Sequence, residues 1–353
     1  MGALNPKMLV GIEDRITVLA EEGAAFRSRN LWWPKVATER TSKSRREFLT
    51  WFINSVVIRD LGKSAGNLSY SDLEAVYQEI ENGFAGEGFE ISKADLEDQD
   101  GGGLNAAATW ARAIGAYMAY WPQKQVAFAL KNGHDAATYP GLMGYDGKAL
   151  FALDHPIHPK KPGVGTFRNI FTGSADGAYP GACPVHGTGS GAVSLDVALE
   201  NLGKIQAYIA SIKMPNGEDP RGLRGVRFLA GPRLFPRLAQ LTNAKFLAQA
   251  ASSGGGSADV EAYINALGYG QPEQVDELAG YEDDTTFFVV AEGIAPTELG
   301  PIVYQTREPF RIDNYGPLTD HQLGRMQKFD WQVHGRNTVA AGHPFLIFKV
   351  KAS

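Results

Sequence analysis

The chain has 353 residues, 44% hydrophobic and 21% charged, the make-up of a globular protein whose core is large enough to do without disulfide staples. A formal net charge of −5 gives no overall basic excess for gripping nucleic-acid phosphates. The single cysteine, Cys183, excludes a disulfide within the chain and suits a reducing cytoplasm.

The opening stretch, MGALNPKMLVGIEDRITVLAEEG, interrupts its apolar residues with Glu13, Asp14 and Arg15, unlike a secretory signal. No run approaches the roughly 20 apolar residues needed to cross a bilayer, so a cytoplasmic protein is expected. Residues 5–23 read as an amphipathic helix, with Met8, Leu9, Ile12, Ile16 and Leu19 on one stripe and Gly23 as its stop. Residues 26–46, with Trp32, Trp33 and many cations, read as an extended arm without a core of its own. From 47 to 100 the pattern becomes strand-like and predicts a long hairpin of two or three strands, with a possible helical start near Ser71-Asp72.

After Gly101–Gly103 comes the strongest helical signal, with Ala106, Trp110, Ile114, Tyr117, Met118 and Trp121 on one face. Pro122 is expected to kink or divide this helix, and Gly133 to cap it. Residues 134–192 hold eleven glycines and six prolines and read as loop. A helix with Ser194 as N-cap follows, its apolar side formed by Leu195, Ala198, Leu202, Ile205 and Ile209. Residues 226–232 predict a buried strand, PRLAQLTNAKFLAQAAS a helix, SSGGGS at 252–257 a loop tip, and the chain from 285 onward several strands. A long hairpin far from any core that could cover both its faces must lie on something else, and a neighbouring subunit is the obvious candidate.

Several short motifs invite chemistry. Asp154, His155 and His158 lie within five positions and raise a metal-dependent hydrolase as one reading. Metal ligands must converge to about 2.0–2.2 Å. Here each histidine precedes a proline, which favours extended backbone, and positions i and i+3 of an extended chain face opposite sides. Gly62-Lys63-Ser64 fails as a P-loop because position 57 is Val57. GTGSG at 187–191 could cradle a phosphate, but glycine runs are far more often plain loop; as a nucleophile elbow it fails at Thr188 and Ala192. EDQDGG at 97–102 fails as a calcium loop, since Leu96 and Ala107 fall at the first and last ligand positions. Cys183 has no nominated catalytic partner. No catalytic residue, cofactor or metal is assigned.

Charge is unevenly spread. Residues 27–46 carry seven Lys/Arg against one acid, and residues 72–100 ten acids against one base. Either run can be a solvated face. Together they make a complementary pair, so the arm of one copy can meet the hairpin of the next, and such head-to-tail contacts close rings. Trp32, Trp33, Arg40, Arg45 and Arg46 on the arm, and Glu87, Glu90, Asp95 and Asp98 on the acidic side, are the expected subunit-interface residues.

YWPQKQVAFALKNG, GYDGKALFALDHP, FEISKADLEDQDGG, GPIVYQTREPF and WQVHGRNTVAAGHP together resemble, in order, the major head protein of Mu-like tailed bacteriophages and prophages. Residues 190–285 carry none of the resemblance. The resemblance implies an α+β, Hong Kong 97-type capsid fold. Its parts would be an N-terminal arm at 1–40, an extended loop at 41–101, a peripheral domain with a long spine helix at 102–190 and 297–342, and an axial domain at 191–296 and 343–353. It implies a non-enzymatic subunit of an icosahedral shell, built of hexamers and pentamers in the host bacterial cytoplasm. The shell would enclose double-stranded DNA without sequence-specific binding, alongside scaffold, portal and decoration proteins. It also implies that Asp154 and His155 fix a loop. A protein nanocompartment shell of the same fold and a DNA-binding module are the other readings, besides the hydrolase.

Overall fold

The computed structural model describes residues 6–53, 74–92, 94–95, 103–177, 179–186, 193–243, 267–282, 285–293, 299–314 and 328–352. Gly62-Lys63-Ser64, Ser71-Asp72, EDQDGG with Asp98, GTGSG and the 252–257 tip lie outside them.

Helix α1, Pro6–Ser28, is longer than expected, and Gly23 does not stop it. The reason is packing. α1 lies along α2, Gly103–Asn132, so closely that a Cβ at Gly23 would stand 2.1 Å from the Arg112 carbonyl oxygen. One at Gly115 would stand 1.9 Å from the Ala20 carbonyl oxygen. The two glycines let the backbones touch, a role that local propensity does not reveal. Ile16 and Leu19 of α1 join Ala107, Ala108 and Ala111 of α2 in one core, while Ala106 faces outward. α2 also runs unbroken through Pro122. The proline removes one N–H from the ladder, but Gln123, Val126, Ala127, Ala129 and Leu130 beyond it are all buried and hold the next turns in place. The helix ends as expected, with the Gly133 N–H on the Ala129 carbonyl at 2.8 Å.

α2 covers a four-stranded sheet. Its strands are β1 Ala37–Thr41, β4 Gly83–Ser92, β11 Ile302–Asn314 and β12 Lys328–Ala341, in the order β1-β11-β12-β4. β1 is parallel to β11; the other pairs are antiparallel. The arm is therefore not coreless. Its β1 is a sheet strand, and Trp32 and Trp33 are buried with Val126, Leu130 and Tyr304. The Trp32 N–H donates to Gln123 Oε1 at 2.9 Å and its indole N–H to Glu277 Oε2 at 3.0 Å. β4, expected to extend the hairpin, instead pairs with β12 along its whole length.

A second sheet has five strands: β7 Ile170–Phe171, β8 Arg224–Ala230, β9 Glu273–Gln274, β10 Thr286–Glu292 and β13 Ile347–Lys351, ordered β7-β13-β10-β8-β9. Helices α3, Leu195–Ser211, and α4, Phe235–Asn243, cover one face. The Ser194 hydroxyl caps α3 by accepting from Val197 N–H. The other face meets the end of α2 and Trp32-Trp33. Both faces being covered, β10 is buried at every residue except Glu292. Alternate residues serve different cores: Phe287 and Val289 face α3, whereas Phe288 and Val290 face α2. Phe167, Phe171, Cys183 and Val185, read as loop, belong to the α3 core. Among the described residues no helix is long and apolar enough to cross a membrane.

Candidate functional site

Two features stand apart from these cores: a docked hairpin, and the glycine-proline loop block that braces it. The hairpin pairs β2, Arg46–Phe52, with β3, Ala75–Glu81, antiparallel and in unbroken register. Period-two alternation divides it into two faces. Leu49, Trp51 and Ile80 point inward onto Ala340, Tyr145 and Leu299. Gln78 locks this face: its Oε1 accepts from the Trp51 indole at 2.8 Å, and its Nε2 donates to the Met143 and Ala341 carbonyls at 2.9 and 3.0 Å. Asn82 closes the far end, donating to Ser42 Oγ at 2.9 Å and accepting from Gln305 at 3.1 Å. The outward face carries Phe48, Phe52 and Tyr77, exposed by 62%, 63% and 68%.

Trp51 stands on an aromatic box. Tyr145 stacks on it at 4.8 Å between ring centroids and His343 meets it edge-on at 4.6 Å. His343 lies on Phe345, and the Arg221 guanidinium lies 3.9 Å over the same Phe345 ring. Burial, with the Arg221 charge adding to it, pushes the His343 imidazole down to about 3, so it is neutral. Burial also raises the Tyr145 phenol and lowers Arg221.

The loop block separates the three residues that a metal site would bring together. Asp154 is exposed and paired with the Lys148 ammonium. His155 is fully buried, with Nδ1 at 2.6 Å from Asp146 Oδ2 and Nε2 at 3.1 Å from Asn169 Oδ1, and its ring stacks on Phe167. His158 turns to Glu74, 3.8 Å away, just before β3. Desolvation lowers the His158 imidazole. Lys161 donates to Glu74 at 2.6 Å, and this hydrogen bond is the main reason the Glu74 carboxyl lies below its usual range. The hydrolase geometry is thus absent from these residues, and the two turns of the YDG…DHP stretch form one unit through Asp146 and His155. The short strands β5, His155–Pro156, and β6, Thr166–Phe167, hold it in place. Cys183 is buried, its thiol pushed up to about 11 by burial, which leaves it protonated.

The expected interface residues divide. Trp32 and Trp33 are covered by their own chain and so are not exposed anchors; two adjacent tryptophans carry no sign of which surface covers them. Arg45 pairs with Glu81 at 2.8 Å, Arg46 with Glu79 and Glu81 at 3.4 Å, and Arg40 with Glu47 at 3.4 Å. The basic–acidic match expected between copies is thus partly made within one hairpin. Glu90 pairs with Lys328 at 2.7 Å, Asp95 accepts from the Ser92 hydroxyl, and Glu87 sits on β4 opposite Val333.

Residues 18–180 match the model of the family described as Mu-like prophage major head subunit gpT. Over that stretch, a little under half of its length, the chain is similar to this family. The match spans most of α1, β1 to β4, the hairpin, α2 and the Asp146–His155 unit. With the element order above, it bears out the α+β, Hong Kong 97-type architecture that the resemblance implies. No curated protein matches the chain in sequence. Among solved structures, the procapsid of bacteriophage JBD30 is 16% identical over 99% of this chain and 77% of its own, with a TM-score of 0.48. The JBD30 capsid is 13% identical over 90% of this chain and 64% of its own, at 0.44. A virus-like particle from Pyrococcus furiosus is 8% identical over 96% of this chain and 98% of its own, at 0.46. Scores and identities this low fix no residue's role.

Gln78, Gln123, Asn169 and Glu277 went unnoticed in the sequence. Each is a polar residue whose partners lie far away in the chain, and no local pattern marks it.

Proposed function

We infer that this chain is the major subunit of a phage-type head, associating with copies of itself into a closed icosahedral shell. The family match of residues 18–180 carries this reading. The hairpin adds a physical reason. Three aromatic side chains side by side on an exposed face are what a neighbouring copy would cover, and aromatic anchors dominate such interfaces. Obligate contacts commonly bury about 2,000–5,000 Å². The subunit works by association and not by catalysis. Hexamers and pentamers would build the shell, with scaffold, portal and decoration proteins as partners, and it would reside in the virion after assembly in the bacterial cytoplasm. The mildly acidic chain limits sticking to the enclosed double-stranded DNA.

In this reading 1–40 is the arm and 41–101 the extended loop. 102–190 with 297–342 forms the peripheral domain, and 191–296 with 343–353 the axial domain. The packing of Phe167 to Val185 on the five-stranded sheet favours moving the boundary at 190 to about 166. Arg40, Arg45, Arg46, Glu87, Glu90, Asp95 and Asp98 would rim the contacts, with Phe48, Phe52 and Tyr77 in place of Trp32 and Trp33 at their centre.

The test is electron microscopy and sedimentation of the purified full chain beside its Phe48→Ser/Tyr77→Ser variant. The wild type is expected to form closed particles. The variant should remain in small species, with monomer stability within about 0.5 kcal/mol because both rings are exposed. Particle formation unaffected by the double change would refute the hairpin face. A wild type that stays monomeric at high concentration, with or without co-expressed scaffold, would refute the shell.

A further inference from the structure

The buried Asp146–His155–Asn169 unit allows its hydrogens to be counted. Asn169 is pinned on three sides. Its Nδ2 donates to the Leu150 carbonyl at 2.7 Å and the Pro344 carbonyl at 2.9 Å, and its Oδ1 accepts from Ala152 N–H at 2.9 Å. Both carbonyls only accept and the amide only donates, so the side chain cannot be turned over. Oδ1 therefore faces His155 Nε2, which must carry a hydrogen. On the other side Nδ1 meets Asp146 Oδ2 at 2.6 Å, while Asp146 Oδ1 already accepts from Lys148 N–H at 3.1 Å. That short contact needs a hydrogen too, on Nδ1 or on Oδ2. A neutral imidazole beside an ionised aspartate supplies one hydrogen for the two positions.

We propose that the Asp146–His155 pair holds an additional proton as a built-in part of the fold, and that this proton ties the Tyr145–Gly147 turn to β6, β7 and the Pro344 turn. The surroundings leave the pair to itself. Lys148 is paired with Asp154, Arg168 with Asp176 at 2.9 Å, and Lys349 with Glu282 at 3.6 Å. His343, beside Pro344, is neutral. Among the described residues Asp146 is the one carboxylate on the His155 ring. This holds for the subunit whether or not it builds a shell.

The experiment is nitrogen-15 NMR of the full chain labelled at histidine and aspartate, at about pH 8, where histidines of ordinary value near 6.5 are neutral. His155 is identified by its proximity to the Phe167 ring, without recourse to a variant. The expected result is hydrogens on both ring nitrogens, or an Nε2–H ring beside a protonated Asp146 carboxyl; either places the extra proton in the pair. In Asp146→Asn the amide itself donates to Nδ1, so the ring should become neutral with hydrogen on Nε2 alone. A neutral His155 beside an ionised Asp146, or a doubly protonated ring that persists in Asp146→Asn, overturns the proposal.

Discussion

The β2–β3 hairpin and the β10–β13 pair are both short antiparallel ladders of aromatic and β-branched residues, yet they sit in opposite environments. β10 has helices or sheet neighbours over both faces, and Phe287, Phe288 and Val289 are almost wholly buried. Among the described residues the hairpin is covered on one face alone, and a hydrogen-bonded glutamine sits at the centre of that contact. Apolar content does not distinguish the two. What does is how many elements the topology brings over each, so one ladder is core while the other keeps an exposed aromatic face among the described residues.

Cutting the core should cost most. Phe288 packs on Phe151 with centroids 5.5 Å apart, joining the five-stranded sheet to the loop block. Phe288→Ala should remove about 3–5 kcal/mol, read by chemical denaturation with far-UV circular dichroism. The boundary between the two regions responds next, through His343 under the hairpin. Its folded value near 3 lies below an unfolded value near 6.5, so the unfolded chain binds the extra proton first as pH falls. The stability is complete above about 6.5 and declines toward 3 by about 1.4 kcal/mol per pH unit, or about 2 kcal/mol at pH 5. His343→Phe should flatten that acid slope in melting experiments.

The most local effect belongs to the hairpin lock. Gln78→Leu leaves the Trp51 indole and two carbonyls without a side-chain partner, a cost of about 1–3 kcal/mol. Hydrogen exchange should quicken in β2 and β3 while β10 and β13 keep their protection. Equal loss of protection in both regions would mean that the hairpin and the β10–β13 pair open together as one unit.

Local chemistry was legible residue by residue. Ser194 capped its helix, Gly133 ended another, and the apolar run at 226–232 became a buried strand, since each depends on neighbours within a few positions. Gly23 does not end its helix and Pro122 does not divide its own: propensity treats both as breaks, while the facing backbone of α2 requires the one and the buried turns beyond hold the other in the helix. The divergence of His155 and His158 is legible in the prolines that follow them, whereas the pairing of His155 with Asp146 and Asn169 is not, because those partners come from separate turns.

By itself the sequence determined the helix caps and the uneven placing of charge, which are properties of composition and spacing, and its motifs carried the resemblance to a Mu-like head subunit that implied the α+β fold. Tertiary structure alone decided that Trp32 and Trp33 are core, that Arg45 and Arg46 find acids within their own hairpin, and that Asn169 joins His155 to the Leu150 and Pro344 carbonyls. Burial and hydrogen-bond satisfaction depend on what arrives from tens or hundreds of residues away, and that distance leaves no trace in a local pattern.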